Sequence, residues 1–446
     1  MSLLELQALL PQLILVLGGT LVLVVGAWVR NCRLWLLVGM ALALLAALVA
    51  GTVAPQVAEI AGMFGTTLYA RFCTVAWALV IAATLLLSCR YAEQHRYGGG
   101  EYASLLLFAA AGMGLLSSAT SFLGLFLALE AFTLVLYILI AFNRTDNRGA
   151  EAGLKYLVFG AVATAFIAFG IALIYTATGT LHIAEALSGL QLDAGLRPLG
   201  LAGWALLLVA IGFKISLVPF HFWTPDVYQG APAPISGVMA TAAKGAVLTA
   251  LLPLLAGLGT SVATINQILW VLSIVTMLVG TFSALVQTNL KRMLAYSSVT
   301  HMGYLLIALR VGGAAGGQAL LFYLVVYSFA TFGAFGVVTS WALENDEVQD
   351  YDDLQGLGYL HPRRSSALAM FLLSLAVIPP LAGFFGKFGI FYAALQHGYL
   401  ELAVIGVSAS LISLYYYLRP VIVLFMQERH ARPLRSGAGS ESLLLS

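Results

Sequence analysis

Three lysines, Lys214, Lys244 and Lys387, stand inside otherwise apolar runs, and one carboxylate, Glu130, is embedded the same way in GLFLALEAFTLVLYIL. A charge at mid-bilayer costs about 2.5–3.5 kcal/mol even on insertion scales, so such groups face a bundle interior or hydrated cavity and mark ion or proton pathways. A carboxylate beside an amine favours the ammonium form, and burial without one favours the neutral amine. The chemistry these residues can do is therefore proton exchange. An intramembrane lysine also has a structural reading, as fixed partner to an acid on a neighbouring subunit. One intramembrane acid cannot neutralise three lysines, and the excess favours exchange.

Backbone punctuation accompanies two of the lysines. Gly212-Phe213-Lys214 precedes Pro219, and Phe385-Gly386-Lys387 follows Pro379-Pro380. Proline in a span frees carbonyls, which a membrane tolerates only where protein or water satisfies them. Both lysines thus border interrupted helices. Interruptions at corresponding positions of two halves point to inverted repeats around a mid-membrane path. The separation of 173 residues, from 214 to 387, fits two five-helix units.

The elements that position these groups follow from composition. With 61% hydrophobic and 9% charged residues and a mean hydropathy of +0.97, a chain of 446 residues lacks the polar surface of a water-soluble globule. It reads as an all-α polytopic membrane protein. A net charge of +2 gives no argument for nucleic acid. Cys32, Cys73 and Cys89 show neither metal-type spacing nor a disulfide framework. The N-terminal stretch, Met1 to Trp28, has no basic leader region and reads as a retained first helix.

Apolar runs fall at about 8–28, 34–52, 68–89, 102–118, 120–142, 153–176, 199–219, 232–256, 264–286, 294–311, 317–343, 366–396 and 400–426, which makes thirteen spans. Residues 177–198 between the sixth and seventh are amphipathic and suit the interface. Odd-numbered connections and the tail carry Arg30, Arg33, Arg90, Arg96, Arg144, Arg148, Lys291, Arg292, Arg363, Arg364, Arg429, Arg432 and Arg435. Even-numbered ones carry only Arg71, Arg197 and Arg310. That bias places the N-terminus outside and the tail on the cytoplasmic side. Lys155 and Arg419 lie near span ends, where they can snorkel, and Glu151 suits a helix start. The organisation read from this is a three-helix segment (1–99), a first repeat of helices four to eight (100–256), a second of nine to thirteen (257–426) and a polar tail (427–446).

The stretch GFKISLVPFHFWTPDVYQGAPAPISGVMATAAK at 212–244 resembles the signature of the antiporter-like membrane subunits of respiratory complex I, and its WTPDVYQGAP form is similar to the N-type subunits. FLALEAFTLVLYIL around Glu130, EAGLKYLVFGA at 151–161, QTNLKRMLAYSSVTHMGYLL at 287–306 and GFFGKFGIF at 383–391 extend the likeness over most of 100–420. The related M-type subunit has a glutamate in place of Lys387, and the L-type a long lateral helix absent here. The resemblance implies a membrane-arm subunit of a proton-pumping NADH:quinone oxidoreductase in a bacterial inner membrane, with two inverted five-helix repeats and broken helices seven and twelve.

Carried over by motif, Glu130 matches the fifth-helix glutamate, Lys214 the seventh-helix lysine, Lys244 the eighth-helix lysine and Lys387 the twelfth-helix lysine. His301, in SSVTHMGY, matches a tenth-helix polar position near the water path, or else only hydrogen-bonds a broken helix. His221 and Asp226 read as ties for the loop after span seven. The resemblance implies that NADH, FMN, iron–sulfur clusters and quinone belong to partner subunits. No dinucleotide fingerprint, cluster-type cysteine set or paired haem histidines stand in this chain, so it is expected to bind no cofactor and no metal. The family has fourteen helices, whereas QERHARPLRSGAGSESLLLS after Met426 is too short and too charged to cross a bilayer. A subunit of a multi-component cation/proton antiporter or of a membrane-bound hydrogenase would share the fold and the Glu130 and Lys214 pattern. A purely structural scaffold would tolerate apolar replacement of the lysines.

Overall fold

Apolar runs in a bilayer fold as helices because a helix satisfies its own backbone N–H and C=O groups. A computed structural model describes residues 2–53, 57–189, 195–256, 263–341 and 349–427. Ten described helices are long and apolar enough to cross a membrane. Their starts are locally specified: Asn31, Thr67, Ser121 and Asn289 each accept a hydrogen bond from the backbone N–H three residues on. Such a cap is worth about 1 kcal/mol.

The chain divides into two compact units. The first holds the helices Leu10–Gly26, Cys32–Thr52, Leu68–Gln94, Gly99–Leu116, Phe122–Ile140, Asn147–Thr178 and Arg197–Lys214, together with Lys244–Ala256. The second takes Ile215–Thr241, with its short helices Trp223–Gly230 and Ala233–Val238. It continues through Ala263–Leu285, Leu290–Val311, Gly313–Ser340, Pro362–Leu375, Ala382–Gln396 and Leu400–Met426.

Several expected spans take a different form. The first is a 17-residue helix, Leu10–Gly26, after the short Leu3–Ala8. The seventh, expected to reach residue 219, stops at Lys214. The twelfth is two half-helices, Pro362–Leu375 and Ala382–Gln396. The tenth, Leu290–Val311, is continuous but carries Lys291, Arg292, His301 and Arg310, which take it out of the apolar class. In the eighth, the α-turns give way to a π-helical stretch, Met239–Ala243, immediately before Lys244. Such stretches widen the turn and are frequent at functional sites.

The two breaks share a backbone pattern. After Lys214, Ser216 has φ 63° and Pro219 follows; after Leu375, Val377 has φ 68° and Pro380 follows. The second set repeats the first at an offset of 161 residues, from 214 to 375, and not at the 173 that separates the lysines. Lys214 therefore ends the first half of its broken helix, whereas Lys387 sits within the second half of its own.

The connection between the second and third spans forms a hairpin, Glu59–Ile60 paired with Phe64–Gly65. The Glu59 carboxylate takes a hydrogen bond from the Thr120 hydroxyl and stands 3.1 Å from His182 Nε2. Three even-numbered connections are thus tied together. In the expected interfacial segment the structure has the short helix Ile183–Gly189, and 190–194 lie outside the described residues. Residues 342–348 and the tail from 428, on which a fourteenth helix turns, also lie outside them.

Candidate functional site

In the first unit, Lys214 and Glu130 meet. The ammonium Nζ lies 3.7 Å from Glu130 Oε1, with side-chain exposures of 1% and 16%. That separation is an ion pair beyond hydrogen-bond length. Glu130 Oε1 accepts a 2.8 Å hydrogen bond from Thr164 Oγ1 on the Asn147–Thr178 helix. The acid is therefore held from one side by a neutral donor and from the other by a charge.

The approach that brings Lys214 to the Glu130 and Thr164 helices depends on a pair of glycines. A Cβ on Gly203 would sit 2.7 Å from the Gly170 carbonyl oxygen, and one on Gly170 2.8 Å from that of Gly203. Small residues let membrane helices close to this distance. Gly203→Leu is expected to force the two helices apart and reduce the amount of subunit in assembled complex several-fold, read by immunoblot of native gels; Gly203→Ala should be milder.

Lys244, in the first unit, is 1% exposed and directly follows the π-helical stretch Met239–Ala243. Nothing in the sequence pattern marked that stretch.

In the second unit, Lys387 lies in a cradle to which, among the described residues, no carboxylate is paired. Its Nζ donates to the Leu375 carbonyl at 3.3 Å and to Ser410 Oγ at 3.4 Å, and lies 4.4 Å from the centre of the Tyr304 ring. Leu375 ends the first half-helix, so its carbonyl is one of those the break leaves without an intrahelical donor. The cradle exists because the second half-helix packs closely: a Cβ at Gly383 would lie 1.8 Å from the Ser374 carbonyl oxygen. Ser410 Oγ in turn donates to the Tyr304 hydroxyl at 3.1 Å. A carbonyl, a hydroxyl and a π-face together hold a cation.

His301 is fully buried beside this cradle. Its Nδ1 contacts the Tyr323 hydroxyl, its Nε2 lies 2.8 Å from the Tyr417 hydroxyl, and Tyr417 meets Ser297. Either ring nitrogen can hold the proton, so the imidazole can take one on one side and give one on the other. The tyrosines come from three different helices, and of this cluster the sequence reading named only His301.

Asp226 is held by Arg292, Nη1 to Oδ1 at 2.6 Å, with Gln229 accepting a further bond from the same nitrogen at 3.0 Å. The His221 ring lies 6.4 Å from that of Tyr296. Lys155 pairs with Glu151 at 2.7 Å, one helical turn apart. Arg419 donates to the Gln287 carbonyl at 3.2 Å and stacks over Tyr351. Lys291, counted by sequence among the loop cations, is instead fully buried in the first turn of its helix and donates to the Ala231 carbonyl at 2.5 Å. The helix simply begins earlier than the apolar run does. Among the described residues no group of three His, Cys, Asp or Glu is placed to hold a metal ion.

Comparison with known proteins identifies the framework. Residues 119–413 match the family described as NADH:quinone oxidoreductase/Mrp antiporter, TM. NADH-quinone oxidoreductase subunit N of Syntrophotalea carbinolica is 49% identical over 87% of this chain and 84% of its own length. That of Geotalea uraniireducens is 46% identical over 100% of this chain and 95% of its own. A chain of respiratory complex I from Thermus thermophilus superposes with a TM-score of 0.78 at 32% identity, covering 98% of this chain and 96% of that one. The matched segment 119–413 runs through the Glu130, Lys214, Lys244, His301 and Lys387 helices alike, and the chain belongs to the NADH-quinone oxidoreductase subunit N family.

Proposed function

We propose that the chain is a proton-translocating membrane-arm subunit of a respiratory NADH:quinone oxidoreductase, and that Glu130, Lys214, Lys244, His301 and Lys387 carry the protons. The observation that supports this most is the Glu130 and Lys214 pair: a fully buried ammonium held by a half-buried carboxylate at 3.7 Å. Separating the two removes what stabilises the ammonium, so its proton leaves; reuniting them draws a proton back. A conformational or electrostatic change elsewhere in the complex supplies the separation, and the proton passes onward by way of Lys244 to Lys387. Water chains join groups on different helices.

Within this reading the chain has thirteen spans, of which the fourth to eighth and the ninth to thirteenth form two inverted five-helix repeats, supported by the matching breaks after Lys214 and Leu375. The N-terminus lies outside and the tail in the cytoplasm. This chain does no electron transfer; NADH, FMN, iron–sulfur clusters and quinone are bound by partner subunits. The relatives' subunit N naming at 46–49% identity favours this over a cation/proton antiporter or hydrogenase subunit.

A tagged chain extracted in mild detergent is expected to bring down NADH:quinone oxidoreductase activity, and the reconstituted complex to acidify vesicle interiors on NADH addition. Recovery of a complex without NADH oxidation would overturn the assignment, and Lys214→Met tests the relay.

A further inference from the structure

Glu130 and Tyr137 stand seven residues apart on the Phe122–Ile140 helix of the first unit, two turns along one face. Side chains on a helix lean toward its N-terminus, so Tyr137 extends toward the acid. It is 8% exposed, and among the described residues its hydroxyl is buried without a hydrogen-bond partner. Buried donors are nearly always satisfied, and one left open in a native fold calls for an explanation. The ring is fixed in place. It packs edge-on against Tyr156, centroids 4.9 Å apart, and its oxygen lies over Gly160 of the Asn147–Thr178 helix, where a Cβ would run into it.

The same helix holds the acid one turn further on. Thr164 Oγ1 serves two acceptors with one proton, Glu130 Oε1 at 2.8 Å and the Gly160 carbonyl at 3.0 Å. When the acid leaves, the threonine falls back on that carbonyl and no donor is stranded. Gly160 and Thr164 are about 6 Å apart along the helix axis. The Tyr137 hydroxyl, seated at Gly160, is therefore within reach of the Glu130 carboxylate by a change of rotamer or through one water. Thr133, between the two residues, does not donate to the acid's side chain, because its proton is on the Leu129 carbonyl at 2.9 Å.

We propose that Tyr137 is the second station of the Glu130 carboxylate: as Lys214 and the acid part, the carboxylate leaves Thr164 for the Tyr137 hydroxyl, directly or through one water, and Thr164 turns its proton to the Gly160 carbonyl. The inference deepens the relay reading above and rests on it. Tyr137 is a positioning residue, which keeps its own proton and acts only through the acid. Its hydroxyl takes over as donor from the ammonium. Separation of the pair then becomes a move between two hydrogen-bonded arrangements and not the exposure of a bare buried charge.

Two measurements on the assembled complex test this. Lys214→Met leaves the acid without its ammonium, and a cryo-EM map of that variant is expected to show the Glu130 carboxylate turned to the Tyr137 hydroxyl, directly or through one water. A carboxylate still on Thr164 alone would overturn the proposal. Adding Tyr137→Phe to Lys214→Met should return the carboxylate to Thr164, which loss of a merely structural hydroxyl would not do. Alone, Tyr137→Phe keeps the ring against Tyr156, so assembly on native gels should stay native while coupled quinone reduction and vesicle acidification slow about tenfold, as for one lost hydrogen bond to a charged group. If Lys214→Met stops proton delivery while Tyr137→Phe pumps natively, the second station is wrong and the relay stands. If Lys214→Met itself pumps natively, both fail. Should Tyr137→Phe not assemble, the position of the carboxylate in the Lys214→Met map decides.

Discussion

Lys214→Met in the assembled complex is expected to end this subunit's proton delivery and to slow coupled quinone reduction about tenfold or more, a barrier change of about 1.4 kcal/mol or greater. NADH oxidation with a water-soluble electron acceptor should stay native, because that half-reaction lies in other subunits. Methionine keeps the length and apolar stem of lysine, so packing around a side chain 1% exposed survives while the titrating group is lost. Glu130→Gln should act through the same pair from the other side. The amide oxygen can still accept from Thr164 Oγ1, now at 2.8 Å, but the ammonium is left without its counter-charge. An unpartnered buried charge costs about 3–5 kcal/mol, which shedding the proton avoids. The double variant should be no worse than Lys214→Met alone, since both remove one interaction. Native pumping by Lys214→Met, measured by acidification of vesicles, would take the residue off the path.

The second large effect is expected at Lys387. Its cradle holds a cation by a carbonyl, a hydroxyl and the Tyr304 ring, with Nζ 4.4 Å from the ring centre. A desolvated cation–π contact is worth about 2 kcal/mol, so Tyr304→Leu should lower the ratio of charged to neutral amine roughly 30-fold and suppress pumping nearly as far as Lys387→Met. Tyr304→Phe keeps the ring and removes only the acceptor of the Ser410 hydroxyl. It should retain most of the native protons per NADH. Equal losses in the leucine and phenylalanine variants would show that the hydroxyl, not the ring, matters, and would defeat this account of the cradle.

What could be read from the sequence were the residues whose cost is unmistakable. Lysines in apolar runs and prolines beside them announce themselves, because a bilayer tolerates neither without a reason. The details of the breaks were less legible: Pro219 signals that a helix ends, but the stop comes at Lys214, five residues earlier, and Ser216 in the left-handed region is invisible to periodicity. Equating the lysines at 173 residues obscured the 161-residue repeat of the breaks. The His301 cluster was legible at one member only, since Tyr323 and Tyr417 reach it from distant helices. Lys291 read as a loop cation because hydropathy finds where apolarity begins and not where the first helical turn does.

The unequal exposure of the two partners in the first ion pair sets which of them an outside influence can address. Lys214 is sealed at 1%, whereas Glu130 keeps 16% of its side chain open beside a ridge of exposed Leu127, Leu134 and Ile138. A charge arriving laterally along that ridge feels the carboxylate first and the amine only through it. The acid serves as the handle of the device and the amine as its latch.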